Sequence, residues 1–312
     1  MARCIRNADA VHRQISFFEP TGERYSRHWN LIGTDRDVEK MGDIVSGVIK
    51  EAKAIERGNR LAGKVAVVTG IGAGIGRGCA LMFAAQGAHV IGCDIDGVAA
   101  QATVDAALAL GLHVDSMHPC DMTDPDAVRR LIAFAADVGG GIDILVNAAA
   151  FGVFEPIETM DYERHWRKTL VGELDIVFLA CQAAWPHLVA RGGGAILNFS
   201  SANAHIALDK SPALAHCAGK GGVMAMTRQL AMDGAVHGIR ANTIAPGMIE
   251  TAATRFPLEN LPGFRDQVMA KAMIKRLGQP EDIAWCAVFL VSDEASLVTS
   301  ADFSVDAGAT GW

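Results

Sequence analysis

The chain has 312 residues, 50% of them apolar and 20% charged, which is enough to bury a sizeable core and excludes a disordered or fibrous protein. Its formal net charge of −7 is spread without long acidic or basic runs, so no stripe could track a phosphate backbone, and nucleic acid is not an expected partner. No apolar run approaches the roughly 20 residues that cross a bilayer, so no membrane span is expected.

The first residues carry Arg3, Arg6 and Arg13 with no apolar run behind them, and so do not read as a secretory signal. The 7 cysteines (Cys4, Cys79, Cys93, Cys120, Cys181, Cys217 and Cys286) are odd in number and nowhere form CxxC. They read as reduced, mostly buried thiols of a cytoplasmic protein. Residues 1–60 stand apart as an extension. Within them Val38, Met41, Val45, Val48, Ala52 and Ile55 recur at steps of three and four, which predicts a helix with one apolar face. That face is expected to dock on the chain's own domain or a second subunit, being too short for a stable coiled coil.

Residues 61–312 form the second expected domain. From Leu61 onward short β-branched runs alternate with longer helical patterns, the signature of βαβ units. The strands expected are 64–69, 89–93, 112–118, 143–147, 195–200, 239–245 and 303–306. They predict an α/β fold of the Rossmann type, a doubly wound parallel sheet of seven strands.

Directly after the first strand stands Thr69-Gly70-Ile71-Gly72-Ala73-Gly74-Ile75-Gly76, opening a helix. Glycines there let the backbone turn tightly and approach a pyrophosphate, and the helix N-terminus offers its amides. The second strand ends at Asp94, 18 residues beyond Gly76, where a carboxylate can accept from both adenosine ribose hydroxyls and repel a 2′-phosphate. Ala73 and Ile95 offer no cation to such a phosphate, so the cofactor expected is NAD rather than NADP.

On these residues the chain resembles the short-chain dehydrogenase/reductase family, over about residues 61–312. The family's TGxxxGIG is complete as Thr69 to Gly76. Asp121 with Met122 matches its adenine-contacting position, and Asn147-Ala148-Ala149-Ala150 stands where NNAG is usual. Asn242 and then Pro246-Gly247-Met248-Ile249-Glu250-Thr251 are similar to its PGxIxT segment, in which Ile249 and Thr251 would hold the carboxamide. Arg276 to Ala284 resembles its closing helix. The resemblance implies a sheet order of 3-2-1-4-5-6-7, a homodimer or homotetramer, and a small-molecule substrate.

It also implies an Asn-Ser-Tyr-Lys catalytic set, and here the chain departs. Lys220 falls in the Lys position and His216 in the Tyr position, giving HxxxK for YxxxK. Tyr25 and Tyr162 are the only tyrosines, and neither can be carried onto that position. Ser201 matches the serine, though 14 residues separate it from His216, so a two-residue bulge is expected within 207–213. Glu173 occupies the Asn position, as read both forward from Trp166 and backward from Val177-Phe178-Leu179. A buried carboxylate there needs a partner, and His216 or Lys220 could supply it.

Histidine, with an ordinary pKa of about 6.5, can act as base or acid without the activation a phenol needs. Its ring reaches about 2 Å less far than a tyrosine hydroxyl, so the substrate must sit deeper or a water must bridge. No metal site is expected: His216 and Cys217 point about 100° apart on a helix and cannot join Glu173 around one ion. Between Met248 and Lys275 an apolar segment with Phe256, Pro257, Leu258, Leu261, Phe264, Met269 and Met273 suggests a largely apolar substrate. The function expected is an NAD-dependent oxidoreductase of a secondary alcohol or ketone. Two alternatives stay open: a non-redox lyase or isomerase using His216 and Glu173, and a silent NAD-binding protein.

Overall fold

The computed structural model describes residues 56–208 and 211–312, together with a short antiparallel ladder in which Phe17–Phe18 pairs with Arg24–Tyr25. The ladder belongs to a first compact unit, Met1–Ser46, and the second unit is Gly47–Trp312. The expected amphipathic helix over 38–55, like Cys4, lies outside the described residues.

Seven parallel strands form the sheet of the second unit: β1 (Val65–Thr69), β2 (His89–Cys93), β3 (Val114–Met117), β4 (Ile144–Asn147), β5 (Gly194–Phe199), β6 (Ile239–Pro246) and β7 (Asp302–Val305). Their order is β3-β2-β1-β4-β5-β6-β7, the one that the family resemblance implies. The third strand is shorter than expected. Leu112 N–H bonds back to Ala107 O and closes the preceding helix over Gly111, and at the other end Pro119 has no N–H to extend the ladder.

The crossings are α1 (Gly74–Ala85), α2 (Gly97–Ala109), α3 (Pro125–Gly139), a continuous helix α4 over 162–190, α5 (Leu214–Gly234) and α8 (Pro280–Val291). Before α8 come α6 (Ala252–Asn260) and α7 (Phe264–Lys271). Asp96, Asp124 and Asp161 cap α2, α3 and α4 by accepting from backbone N–H groups of their first turns, which is why each helix starts where it does.

Strand alternation divides the apolar residues between two cores. Ala66, Val68, Ala195 and Leu197 face α1, α2 and α8, whereas Val65, Val67, Ile91 and Ile196 face α3, α4 and α5. Each fully buried Leu or Ile contributes about 1.5–3 kcal/mol. The segment just before β1 is held to this unit. Gly58 N–H bonds to Ala85 O, and Arg60 forms a two-pronged pair with Glu294. Among the described residues no helix is long and apolar enough to cross a membrane.

Among the described residues, two with side chains, Ser300 (φ 64°) and Ala307 (φ 58°), hold the left-handed conformation. That conformation costs an L-residue about 1–2 kcal/mol, while glycine adds about 0.5–1 kcal/mol of unfolded-state entropy. Ala307→Gly is therefore expected to raise stability by about 0.5–1 kcal/mol, read as a higher thermal midpoint. A lowered midpoint would show that Ala307 packing outweighs the strain.

Candidate active site

The polar residues singled out from the sequence converge at the carboxyl ends of the strands, where the order reverses between β1 and β4. Thr69 Oγ1 stitches the two sides of this crevice, accepting from Ala148 N–H and Ala149 N–H at 3.0 Å each. Gly70 turns with φ 75°, and a Cβ on it would stand 2.7 Å from Ala149 Cα. A Cβ on Gly76 would lie 2.1 Å from Gly70 O, so only glycine lets α1 start this close to the loop. Gly72 N–H donates to Asp94 Oδ2 at 2.8 Å and Asp96 N–H to Oδ1 at 2.9 Å, fixing the carboxylate at the rim of the loop. Such a cradle, with amides, a bare backbone and an oriented carboxylate, fits a dinucleotide.

Of the other expected cofactor contacts, Thr251 caps α6 and lies against the loop, its Cγ2 3.1 Å from where a Gly74 Cβ would be. Pro246 ends β6, Gly247 N–H bonds to Val305 O, and Ile249 bridges to Gly278. Ile75 is half-buried against the core on the first turn of α1. Asp121 sits beyond β3 with Oδ1 accepting from Thr123, while Met122 is buried against Cys93. Asn147 is buried and donates to Asn198 Oδ1 at 2.7 Å.

The second group is the altered catalytic set. The Glu173 carboxylate, 4% exposed, places Oε1 2.6 Å from His216 Nδ1, and His216 Nε2 lies 3.3 Å from Ser201 Oγ. A carboxylate only accepts, so the proton of this pair sits on Nδ1, and in the neutral imidazole Nε2 is the acceptor facing Ser201. Asn203 N–H donates to Ser201 Oγ at 3.1 Å, which orients that hydroxyl. Lys220, one turn beyond His216, donates to Phe199 O at 3.1 Å. Burial holds its ammonium below the ordinary lysine range, and the charge of Glu173 opposes that shift. Between the two partners foreseen for Glu173, the hydrogen bond goes to His216. The other oxygen, Oε2, has no hydrogen-bond partner among the described residues.

Glu173 lies in Val171–Asp175, one of two π-helical stretches in α4, the other being Tyr162–Arg167. Such widened turns re-aim a side chain locally and concentrate at functional sites. Tyr162 opens α4 and is exposed. Of the expected bulge over 207–213, residues 209 and 210 lie outside the described residues.

Three contributors were not foreseen. The Phe154 ring lies 5.3 Å from the His216 ring, centroid to centroid, and roofs the site. Gly152 and Gly219 flank the Glu173 carboxylate: a Cβ on the first would stand 2.9 Å from Oε1, and one on the second 2.9 Å from Oε2. Gly219 stands beside Lys220 in sequence, but nothing in a sequence shows that its missing side chain is space for a carboxylate. In the 248–275 segment, Leu258, Phe264 and Val268 pack the segment down, whereas Phe256, Leu261 and Met273 stay exposed.

A family model described as enoyl-(acyl carrier protein) reductase matches residues 70–310. The NAD-dependent glycerol dehydrogenase of Listeria innocua is 36% identical over 262 residues, which cover 83% of this chain and 98% of that one. A solved 7α-hydroxysteroid dehydrogenase, complexed with NADH and 7-oxo glycochenodeoxycholic acid, is 34% identical with a TM-score of 0.75, over 80% of this chain and 96% of that one. A short-chain type dehydrogenase/reductase from Mycobacterium marinum is 31% identical, also with a TM-score of 0.75 and with the same coverage of 80% and 96%. With the sheet order and the glycine loop, these matches mean that the chain belongs to the short-chain dehydrogenase/reductase family, a family of oxidoreductases.

Proposed function

We propose that the protein oxidises a secondary alcohol of largely apolar body with NAD, His216 taking the hydroxyl proton in place of the usual tyrosine. The observation that carries this reading is the position of His216 between Ser201 and the buried Glu173. Gly70, Gly72, Gly74, Ile75, Gly76, Asp94, Asp121, Met122, Asn147, Lys220, Pro246, Gly247, Ile249 and Thr251 would hold the dinucleotide, which when bound supplies the hydride acceptor. Ser201 Oγ orients the substrate oxygen, His216 Nε2 accepts its proton, and Glu173 offsets the positive charge that then forms on the imidazole. Lys220, its ammonium anchored on Phe199 O, would bond the cofactor's ribose. The protein works as a homodimer or homotetramer in the cytoplasm.

Phe154, beside the His216 ring, and Phe151, against Gly172, are 49% and 43% exposed and favour a cyclic or aromatic-bodied alcohol over a polyol. Net NADH formation, followed by absorbance, should be faster with cyclic secondary alcohols and hydroxysteroids than with glycerol. Conversion of these alcohols without net NADH would sink the redox reading.

Cofactor choice is tested separately. Asp94 should make NAD bind at least about tenfold tighter than NADP, or about 1.4 kcal/mol, as read by titration calorimetry. Asp94→Ala should narrow the gap, and equal binding by the wild-type protein would overturn the role given to Asp94.

A further inference from the structure

At the end of the sheet opposite the crevice, the starts of β2 and β3 carry three metal-ligating side chains that the redox site does not use. The parallel register Val90↔Val114 sets His89 beside His113 on the neighbouring strand. Since residues two apart share a face, Asp115 returns to the side of His113. Asp115 Oδ2 lies 2.6 Å from His89 Nε2 and 3.2 Å from His113 Nε2, and all three donor atoms lie within 4.8 Å of one another. The two rings are 5.8 Å apart, tilted by 36°. The His113 side chain is 74% exposed, against 33% for His89 and 28% for Asp115.

We propose that His89, His113 and Asp115 form a site for a divalent transition-metal ion of the Zn²⁺ or Co²⁺ class. Two imidazoles and one carboxylate suit these borderline ions, whereas Mg²⁺ and Ca²⁺ require oxygen donors. Metal–ligand bonds of about 2.0–2.2 Å at tetrahedral angles set the donor atoms about 3.3 Å apart. The His113–Asp115 separation already meets this spacing. The His89–Asp115 pair must open by about 0.7 Å to reach it, and the ion would replace the hydrogen bond now joining them. Each imidazole would then carry its proton on Nδ1 and give Nε2 to the metal, with water completing the coordination on the exposed side. The ion would clip the outermost strand of the sheet to its neighbour. The ligands are invisible to motif reading because 24 positions separate His89 from His113, and only strand register joins them.

The test uses the full chain without an affinity tag, reduced and dialysed against EDTA, titrated with Zn²⁺ by calorimetry and with Co²⁺ by visible absorption. One ion per chain is expected, with the strong visible bands of four-coordinate Co²⁺, and Zn²⁺ should raise the thermal midpoint. His113→Ala, at an exposed position, and the isosteric Asp115→Asn should each weaken binding at least about tenfold, since loss of an outer-shell partner alone typically costs 10–100-fold. Both should also abolish the thermal shift. His216→Ala should leave binding unchanged. Absence of binding, binding insensitive to both substitutions at the site, or binding lost in His216→Ala would each overturn the proposal, and none of these results bears on the redox reading.

Discussion

His216→Ala is expected to lower kcat for alcohol oxidation by about 10²–10⁴-fold, the range that a positioned general base contributes, while the Kd for NAD stays within about twofold of wild type. The split follows from geometry. Nε2 of His216 is aimed at Ser201, in the crevice over the end of β5, whereas the dinucleotide cradle is built from the glycine loop, Asp94 and Thr251. The loss should appear in kcat and kcat/KM together, because the proton moves only in the transition state. His216→Tyr tests the reach of the pocket: a phenol hydroxyl extends about 2 Å further than the imidazole, and Phe154 roofs the ring at 5.3 Å. Partial recovery by the tyrosine would show that the substrate oxygen can be met at either depth. Wild-type turnover in His216→Ala would place the proton shuttle elsewhere and end this account of the site.

Glu173→Gln is expected to reduce kcat by about 10- to 10³-fold, because the amide keeps the shape but loses the charge that offsets the imidazolium. The amide can also present its NH₂ to Nδ1, which would move the ring proton to Nε2 and turn the base away from its task. Stability should move the other way or not at all. Glu173 is 4% exposed with Oε2 unpartnered among the described residues, and a neutral isostere avoids burying a charge. A thermal midpoint at or above wild type with depressed kcat would mark Glu173 as a positioning residue. Equal kcat would reduce it to a packing residue.

Much of the fold, and the residues of the candidate site, are legible in the sequence for local reasons. The glycine loop, Asp94 and the seven strands are set by short-range patterns: strand period, glycine at forced turns, a carboxylate at a strand end. The substituted positions followed from counting between fixed anchors, and the structure sets Glu173 in α4, Ser201 just after β5, and His216 and Lys220 in α5. What sequence could not give depends on three-dimensional neighbours. The bond of Glu173 to His216 and not to Lys220 reflects the π-helical turn Val171–Asp175, which no periodicity announces. The roof formed by Phe154 arises because its loop returns over α5, and the His89–His113–Asp115 group because a parallel register aligns distant residues. The third strand was overestimated because Leu112 looks apolar and extended, while its N–H is spent closing a helix.

The two glycines beside Glu173 mean that the altered catalytic set cannot be transplanted by swapping its polar residues alone. A relative given only the histidine and the glutamate, but with any side chain at the positions of Gly152 or Gly219, would press a methyl group to within 2.9 Å of a carboxylate oxygen. The carboxylate would have to retreat, and with it the hydrogen bond that fixes the ring. A graft that keeps this hydrogen bond in place therefore includes glycine at both positions. Replacing Glu173 by the shorter asparagine leaves that room empty and costs about 1 kcal/mol for each methyl-sized void.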